Sequence, residues 1–155
     1  MNQVVTIAVP VKTAQEVLVK TEVGEFQGEP GKIVRIFLVD DSNDFVHAAS
    51  RLLSANPRFR IVGCANSGHF ALEQIRYLQP DLVIMDLVMP AMDGIQTLRL
   101  LKSQGSSTRV LLTSLGDGPE YHTSAEEAGA EGYVAKSDFG EEVTPLIEHL
   151  FGVAG

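Results

Sequence analysis

Six polar residues in this chain end or follow short apolar runs: Asp40 and Asp41 after "IVRIFLV", Asp86 after "DLVIM", Thr113 and Ser114 after "RVLL", and Lys136 after "EGYVA". Leu82 to Met85 is continuously apolar, the pattern of a strand buried on both faces. A carboxylate ending such a strand is costly to desolvate unless something pairs with it or uses it. If the runs lie side by side as parallel strands, all six residues project to one edge. Three carboxylates converging there with no obligatory counter-ion repel one another, and the usual remedies are a raised pKa or a bound divalent cation. The donors are all oxygens, with no cysteine or histidine in the pattern, which suits Mg²⁺ and argues against zinc. Carboxylate, Mg²⁺, hydroxyl and lysine together suit phosphoryl transfer. Asp86 would then be the nucleophile and form an acyl phosphate. The metal and Lys136 would neutralise the phosphoryl oxygens, and Ser114 would donate a hydrogen bond.

The elements that must position these residues are legible from periodicity. Strands are expected over 33–39, 60–65, 81–85, 109–113 and 131–135. Between and after them, apolar residues recur at helical spacing: Phe45, Ala48, Ala49, Leu52 and Leu53, then Ala71, Ile75 and Leu78, then Ile95, Leu98 and Leu101, and finally Phe139, Val143, Leu146, Ile147 and Leu150. Ser67 is an expected N-cap, and Pro57 and Pro80 stop helix continuation. The stretch "GPEYHTSAEEAGA" has Pro119 at a helix start and only Tyr121, Ala125 and Ala128 to bury, so its helix is the most weakly anchored. Strict β-α alternation implies a doubly wound α/β fold with a parallel sheet covered on both faces. Such folds bind ligands beyond the carboxyl ends of their strands, where the six polar residues fall.

Composition sets the outer limits. The 155 residues are 45% hydrophobic and suffice for one core. Twenty acidic against twelve basic residues leave a net charge of -8, which disfavours direct contact with nucleic acid or an anionic membrane; a DNA contact would need another domain. No apolar run approaches the roughly 20 residues of a membrane span, and the expected location is the cytoplasm. Cys64 is alone, and the expected role of such a cysteine is that of a buried small hydrophobe. Residues 1–32 stand apart: "VVTIAVPV" is interrupted by Pro10, and "KTEVGEFQGEPGK" has linker composition. That segment is an N-terminal extension of unassigned function: a short extra strand, a tail that orders on a partner, or an appended piece foreign to the fold.

From about 33 to 151 the chain resembles the receiver domain of bacterial two-component response regulators. The resemblance rests on "FLVDDS" with its acid pair, "VIMDLVMPAMDG" with the acceptor, "LLTS" with the hydroxyl and "GYVAK" with the lysine. No single piece is specific, but their order and spacing are. The style is closest to receivers of the NarL/FixJ type, which usually precede a helix-turn-helix domain. The resemblance implies a flavodoxin-like five-stranded parallel sheet in the order 2-1-3-4-5, a receiver domain over 33–151 and a short tail at 152–155. It implies Asp86 as phospho-acceptor, Asp41 as a direct Mg²⁺ ligand, Asp40 acting largely through water, and the Val88 main-chain carbonyl completing the metal set. Ser114, 22 residues before Lys136, matches the switch hydroxyl, and Tyr133 matches the switch aromatic. The implied partners are a sensor histidine kinase or phosphotransfer protein, with homodimerisation through the fourth helix, fifth strand and fifth helix.

The chain departs from the commonest pattern at three positions. Ser137 follows the lysine where many receivers have proline, so the usual cis bond is not dictated there. Leu115 follows the switch hydroxyl where a small residue is commoner, and Val88 stands two residues after the acceptor. Two apolar side chains there would obstruct an attacking water, and a long-lived phosphoryl group is expected. Asp93 before Gly94 reads as a turn and helix cap, not a ligand. His47, His69, His122 and His149 fall on expected helices with no metal spacing among them and read as surface residues. The expected function is a phosphorylation-activated signalling switch, not an enzyme beyond its own phosphorylation and dephosphorylation, with the receiver of a transcriptional regulator as one form of it. The alternative is a receiver-like module that binds partners whether or not it is phosphorylated. A hydrolase of related aspartyl-phosphate chemistry is disfavoured, because the chain has little room for a cap domain.

Overall fold

A computed structural model describes residues 32–152 and, upstream of them, the backbone of two strands, β1 (Gln3–Pro10) and β2 (Glu16–Val23). These two strands pair antiparallel, from Gln3 opposite Val23 to Pro10 opposite Glu16. Pro10 closes the first strand, where its missing N–H interrupts no ladder. The first apolar run is therefore strand, one of the forms expected of it. The connector over 24–31 and the tail over 153–155 lie outside the described residues.

From Val34 onward strands and helices alternate: β3 (Val34–Val39), α1 (Asn43–Ser54), β4 (Phe59–Ala65), α2 (Gly68–Leu78), β5 (Leu82–Asp86), α3 (Gly94–Ser103), β6 (Arg109–Ser114), α4 (Pro119–Glu127), β7 (Gly132–Ala135) and α5 (Phe139–Phe151). The five strands form one parallel sheet in the order β4-β3-β5-β6-β7. Counted within the sheet this is 2-1-3-4-5, the doubly wound order expected from the sequence, reversing direction beside β3 and β5.

Alternation along the strands builds two cores. Phe37, Val39, Val83, Met85, Val110 and Leu112 face one side of the sheet, where Ala71, Ile75, Leu98 and Leu101 of α2 and α3 meet them. Ile36, Leu38, Ile84 and Leu111 face the other, against Leu53 of α1 and Phe139, Val143 and Ile147 of α5. Each of these side chains larger than alanine contributes about 1.5–3 kcal/mol on burial, so the central strands hold the edge on which the polar residues sit. All five residues of β5, Asp86 included, are buried.

The helix ends follow the expected signals. Ser42 and Ser67 cap α1 and α2, each accepting a hydrogen bond from the amide three residues on. Asp93 and Gln96 form a reciprocal capping box at α3. Pro119 opens α4, which buries only Ala125 and has no side-chain cap, so this helix is the least anchored of the five.

Two expectations about packing need correction. Cys64 is exposed, not buried. It sits on the edge strand β4, where Phe59, Ile61 and Ala65 are buried while Arg60 and Cys64 are exposed. Ala48 and Leu52 of α1 are also exposed, because Ala49 and Leu53 carry the buried stripe. Among the described residues, no helix is long and apolar enough to cross a membrane.

Candidate functional site

The three acids come together as the strand ends require. Asp40, Asp41 and Asp86 each offer a carboxylate oxygen within 4.8 Å of the others. Asp40 and Asp86 are buried and Asp41 is exposed. Asp40 follows β3 and accepts a hydrogen bond through Oδ1 from the Ser42 amide at 2.8 Å, which ties it to the cap of α1. Asp86 closes β5 and accepts through Oδ1 from the Val88 amide at 3.2 Å.

Lys136 enters from the end of β7. Its Nζ lies 2.8 Å from Asp40 Oδ2 and 3.4 Å from Asp86 Oδ2, with little of the side chain exposed. The expectation of acids without a counter-ion is thereby corrected: the lysine is that counter-ion, shared by two of the three. The contact with Asp40 is close but poorly aligned, and Oδ2 of that buried carboxylate is left without a well-directed hydrogen bond. One cation against three carboxylates leaves the cluster negative.

The electrostatics follow. Burial raises the Asp86 carboxyl above its ordinary 3.8, and Asp40 raises it further; the Val88 amide and Lys136 offset only part. For Lys136 burial pushes downward, but the contact with Asp40 and the charges of Asp86 and Asp40 outweigh it, and the net shift is upward. A negative cluster of three convergent carboxylates and an all-oxygen donor set fit a hard divalent cation such as Mg²⁺.

The hydroxyl and aromatic residues lie on the neighbouring strands. Thr113 pairs in register with Asp86, and Ser114 pairs with Ala135, the residue before the lysine. Both are buried, and the Thr113 hydroxyl has no hydrogen-bond partner. Tyr133 is buried, and its hydroxyl donates to the Gly116 carbonyl in the loop leading to α4. Its ring stacks on Tyr121 at 6.0 Å and meets His122 edge-on at 4.8 Å, both residues of α4. Burial raises the Tyr133 phenol; the Ser114 hydroxyl opposes that shift, while Tyr121, Asp86 and Asp117 reinforce it.

Two glycines shape the surrounding loops. A Cβ on Gly94 would lie 2.4 Å from the Asp86 carbonyl oxygen, so the loop after β5 folds back onto the acid only with glycine there. A Cβ on Gly116 would lie 2.3 Å from the Tyr121 ring. Val88 and Leu115 follow the ends of β5 and β6 and are 62% and 84% exposed. The Lys136–Ser137 peptide is trans. All four histidines are exposed, as expected.

The sequence did not single out Phe45 for the site. It reads there as one apolar residue of α1, yet its ring lies 4.5 Å from Lys136 Nζ. An aromatic one turn beyond an acid pair was the available signal.

Comparison with known proteins places this arrangement. The response regulator receiver domain family matches residues 36–147. A protein-glutamate methylesterase/protein-glutamine glutaminase from Nocardioides sp. is 39% identical over 105 residues, 66% of this chain and 29% of that protein. The transcriptional regulatory protein DegU of Brevibacillus brevis is 31% identical over 66% of this chain and 44% of its own length. The chain thus spans less than half the length of either relative. The signal receiver domain of a response regulator named NarL from Mycobacterium tuberculosis superposes with a TM-score of 0.73 at 34% identity, covering 81% of this chain and all of that one. With the doubly wound order, the acid cluster and the strand-end lysine in place, the chain belongs to the response regulator receiver domain family of two-component systems.

Proposed function

We propose that the chain is a phosphorylation-activated switch that accepts a phosphoryl group on Asp86 from a sensor histidine kinase or phosphotransfer protein. One observation carries this reading: a single lysine is shared between two buried strand-end acids, and the three-acid cluster remains negative. In the reaction an Asp86 carboxylate oxygen attacks the phosphorus of a phosphohistidine. The phosphorus–nitrogen bond breaks, its electron pair leaves on an imidazole whose other nitrogen carries a proton, and neutral imidazole departs. The Val88 amide holds Asp86 Oδ1, and Oδ2 faces the lysine. Lys136 is within reach of the incoming phosphoryl oxygens and offsets their charge. Bound Mg²⁺, held by Asp40, Asp41, Asp86 and the main-chain carbonyl of Val88, would supply further neutralisation of the transferring group.

The Ser114 hydroxyl then donates to the new phosphoryl group, and Tyr133 with the Gly116 loop carries the change to α4. A helix that buries one residue is readily repositioned. The output is altered partner binding or homodimerisation through α4, β7 and α5. The receiver occupies 33–151, with 1–32 an extension and 152–155 a tail. The chain is cytoplasmic, does not itself bind nucleic acid, and is not an enzyme beyond its own phosphorylation chemistry; in a longer protein it gates an output such as transcription.

Intact mass after incubation with acetyl phosphate tests this, with and without Mg²⁺, on the native chain and on Asp86→Asn. The expected result is a Mg²⁺-dependent phosphoryl adduct absent from the variant. No adduct on a folded protein under any condition would favour an interaction module indifferent to phosphorylation.

A further inference from the structure

The Lys136 ammonium donates to Asp86 and lies 2.8 Å from Asp40 as an ion pair. The face of Phe45 lies against it as well, its centroid 4.5 Å from Nζ. An aromatic face attracts a cation through its quadrupole and adds no negative charge. In a cluster that already holds three carboxylates, a fourth acid would raise the repulsion, whereas a ring holds the lysine without doing so. The ring also keeps its attraction when the carboxylate oxygens turn to other partners.

The ring is itself held in place from two directions. The Phe45 amide donates to the Ser42 side chain at 3.3 Å, and the amide of that same Ser42 binds Asp40. On the other side, Phe139 meets Phe45 edge-on, with centroids 5.0 Å apart and planes at 75°. Phe139 follows Lys136 after a single 3₁₀ turn, Lys136–Asp138, and is buried. One short segment therefore carries both the lysine and the brace of the ring beside it.

We propose that Phe45 is a positioning residue for phosphoryl transfer, its ring holding the Lys136 ammonium beside Asp86. The inference rests on the phosphoryl-acceptor reading for its rate effect, but not for its geometry. NMR of the metal-free chain reads the geometry directly: the Lys136 ε-methylene protons sit in the ring current of Phe45, upfield of the other lysines. That displacement survives in Phe45→Tyr and vanishes in Phe45→Leu or, should leucine not fold, in Phe45→Met. With saturating Mg²⁺ and acetyl phosphate, loss of the ring slows adduct formation about fivefold, and tyrosine restores it. In a Lys136→Met background, removing the ring changes the rate no further. Ordinary ε-methylene shifts in the native chain, or an equal slowing in the Lys136→Met background, would overturn the proposal. If the native chain forms no adduct, the phosphoryl-acceptor reading falls, and the ring-current comparison alone decides whether Phe45 holds the lysine.

Discussion

Without metal, Asp86 is a liability to folding, and its removal should stabilise the protein. Asp40 and Asp41 each hold a carboxylate oxygen within 4.8 Å of one on Asp86, and Lys136 Nζ is 3.4 Å away. At an effective dielectric of about 20, Asp40 at that separation costs about 3.5 kcal/mol and the lysine returns about 5 kcal/mol, while the exposed Asp41 is screened by solvent. The charges largely offset one another, and burial of the carboxylate, the largest cause of its raised pKa, leaves the net penalty. An asparagine substituted for Asp86 would keep an oxygen for the Val88 amide and shed the charge. In chelator at pH 7, Asp86→Asn should therefore raise stability by about 1–3 kcal/mol, or the melting temperature by about 5 °C. The pH dependence carries the sign. The folded-state pKa of Asp86 lies above its ordinary 3.8, so the folded chain binds this proton more tightly than the unfolded chain. The penalty is absent below pH 3.8, grows as pH rises through the raised value, and is complete above it. Urea titrations of both proteins from about pH 3.5 to 8 should show curves that meet in acid and separate toward neutrality. Added Mg²⁺ should stabilise the native chain more than the variant and narrow the gap. A variant less stable than the native chain in chelator at pH 7 would refute the reasoning, because Lys136 would then outweigh both acids and the desolvation.

Other consequences are equally specific. Gly94→Ala drives a methyl group to 2.4 Å from the Asp86 carbonyl, so it should cost about 2–4 kcal/mol in denaturant titration and slow adduct formation by displacing the acceptor. Tyr133→Phe removes the hydrogen bond to the Gly116 carbonyl; it should cost about 1 kcal/mol and speed amide hydrogen exchange in α4, while adduct yield on Asp86 persists. Leu115→Ala strips an exposed side chain next to Ser114, and phosphoryl half-life, followed by decay of radiolabel, should shorten by a factor on the order of three, a barrier change under about 1 kcal/mol. An unchanged half-life would free Leu115 of any role in excluding water.

Fold and acid cluster were readable because each depends on local pattern. Leu82 to Met85 announces a strand buried on both faces, and strict alternation with helical stretches leaves the doubly wound sheet as the economical arrangement. Once the strands are parallel and adjacent, Asp40, Asp86 and Lys136 must share an edge, whatever the loops do. Cys64 is exposed because β4 is the edge strand of the sheet and its burial alternates, with Ile61 and Ala65 inside and Cys64 out. Nothing within "RIVGCA" marks the run as the edge strand.

The lysine's surroundings were hidden for a different reason. Asp40 with Phe45, Asp86, and Lys136 with Phe139 come from three stretches of chain, and each residue has an ordinary local explanation: strand end, helix face, strand end, strand end, helix start. Their joint meaning appears only when β3, β5 and β7 are in register and α1 and α5 lie on the same face of the sheet. Phe45 can pack in the core shared by α1 and α5 and still turn its face to the ammonium, so one residue meets a folding demand and an electrostatic one. This is why hydrophobic periodicity found Phe45 and missed its second role. It also explains why leucine, which meets the first demand alone, is the substitution that separates the two.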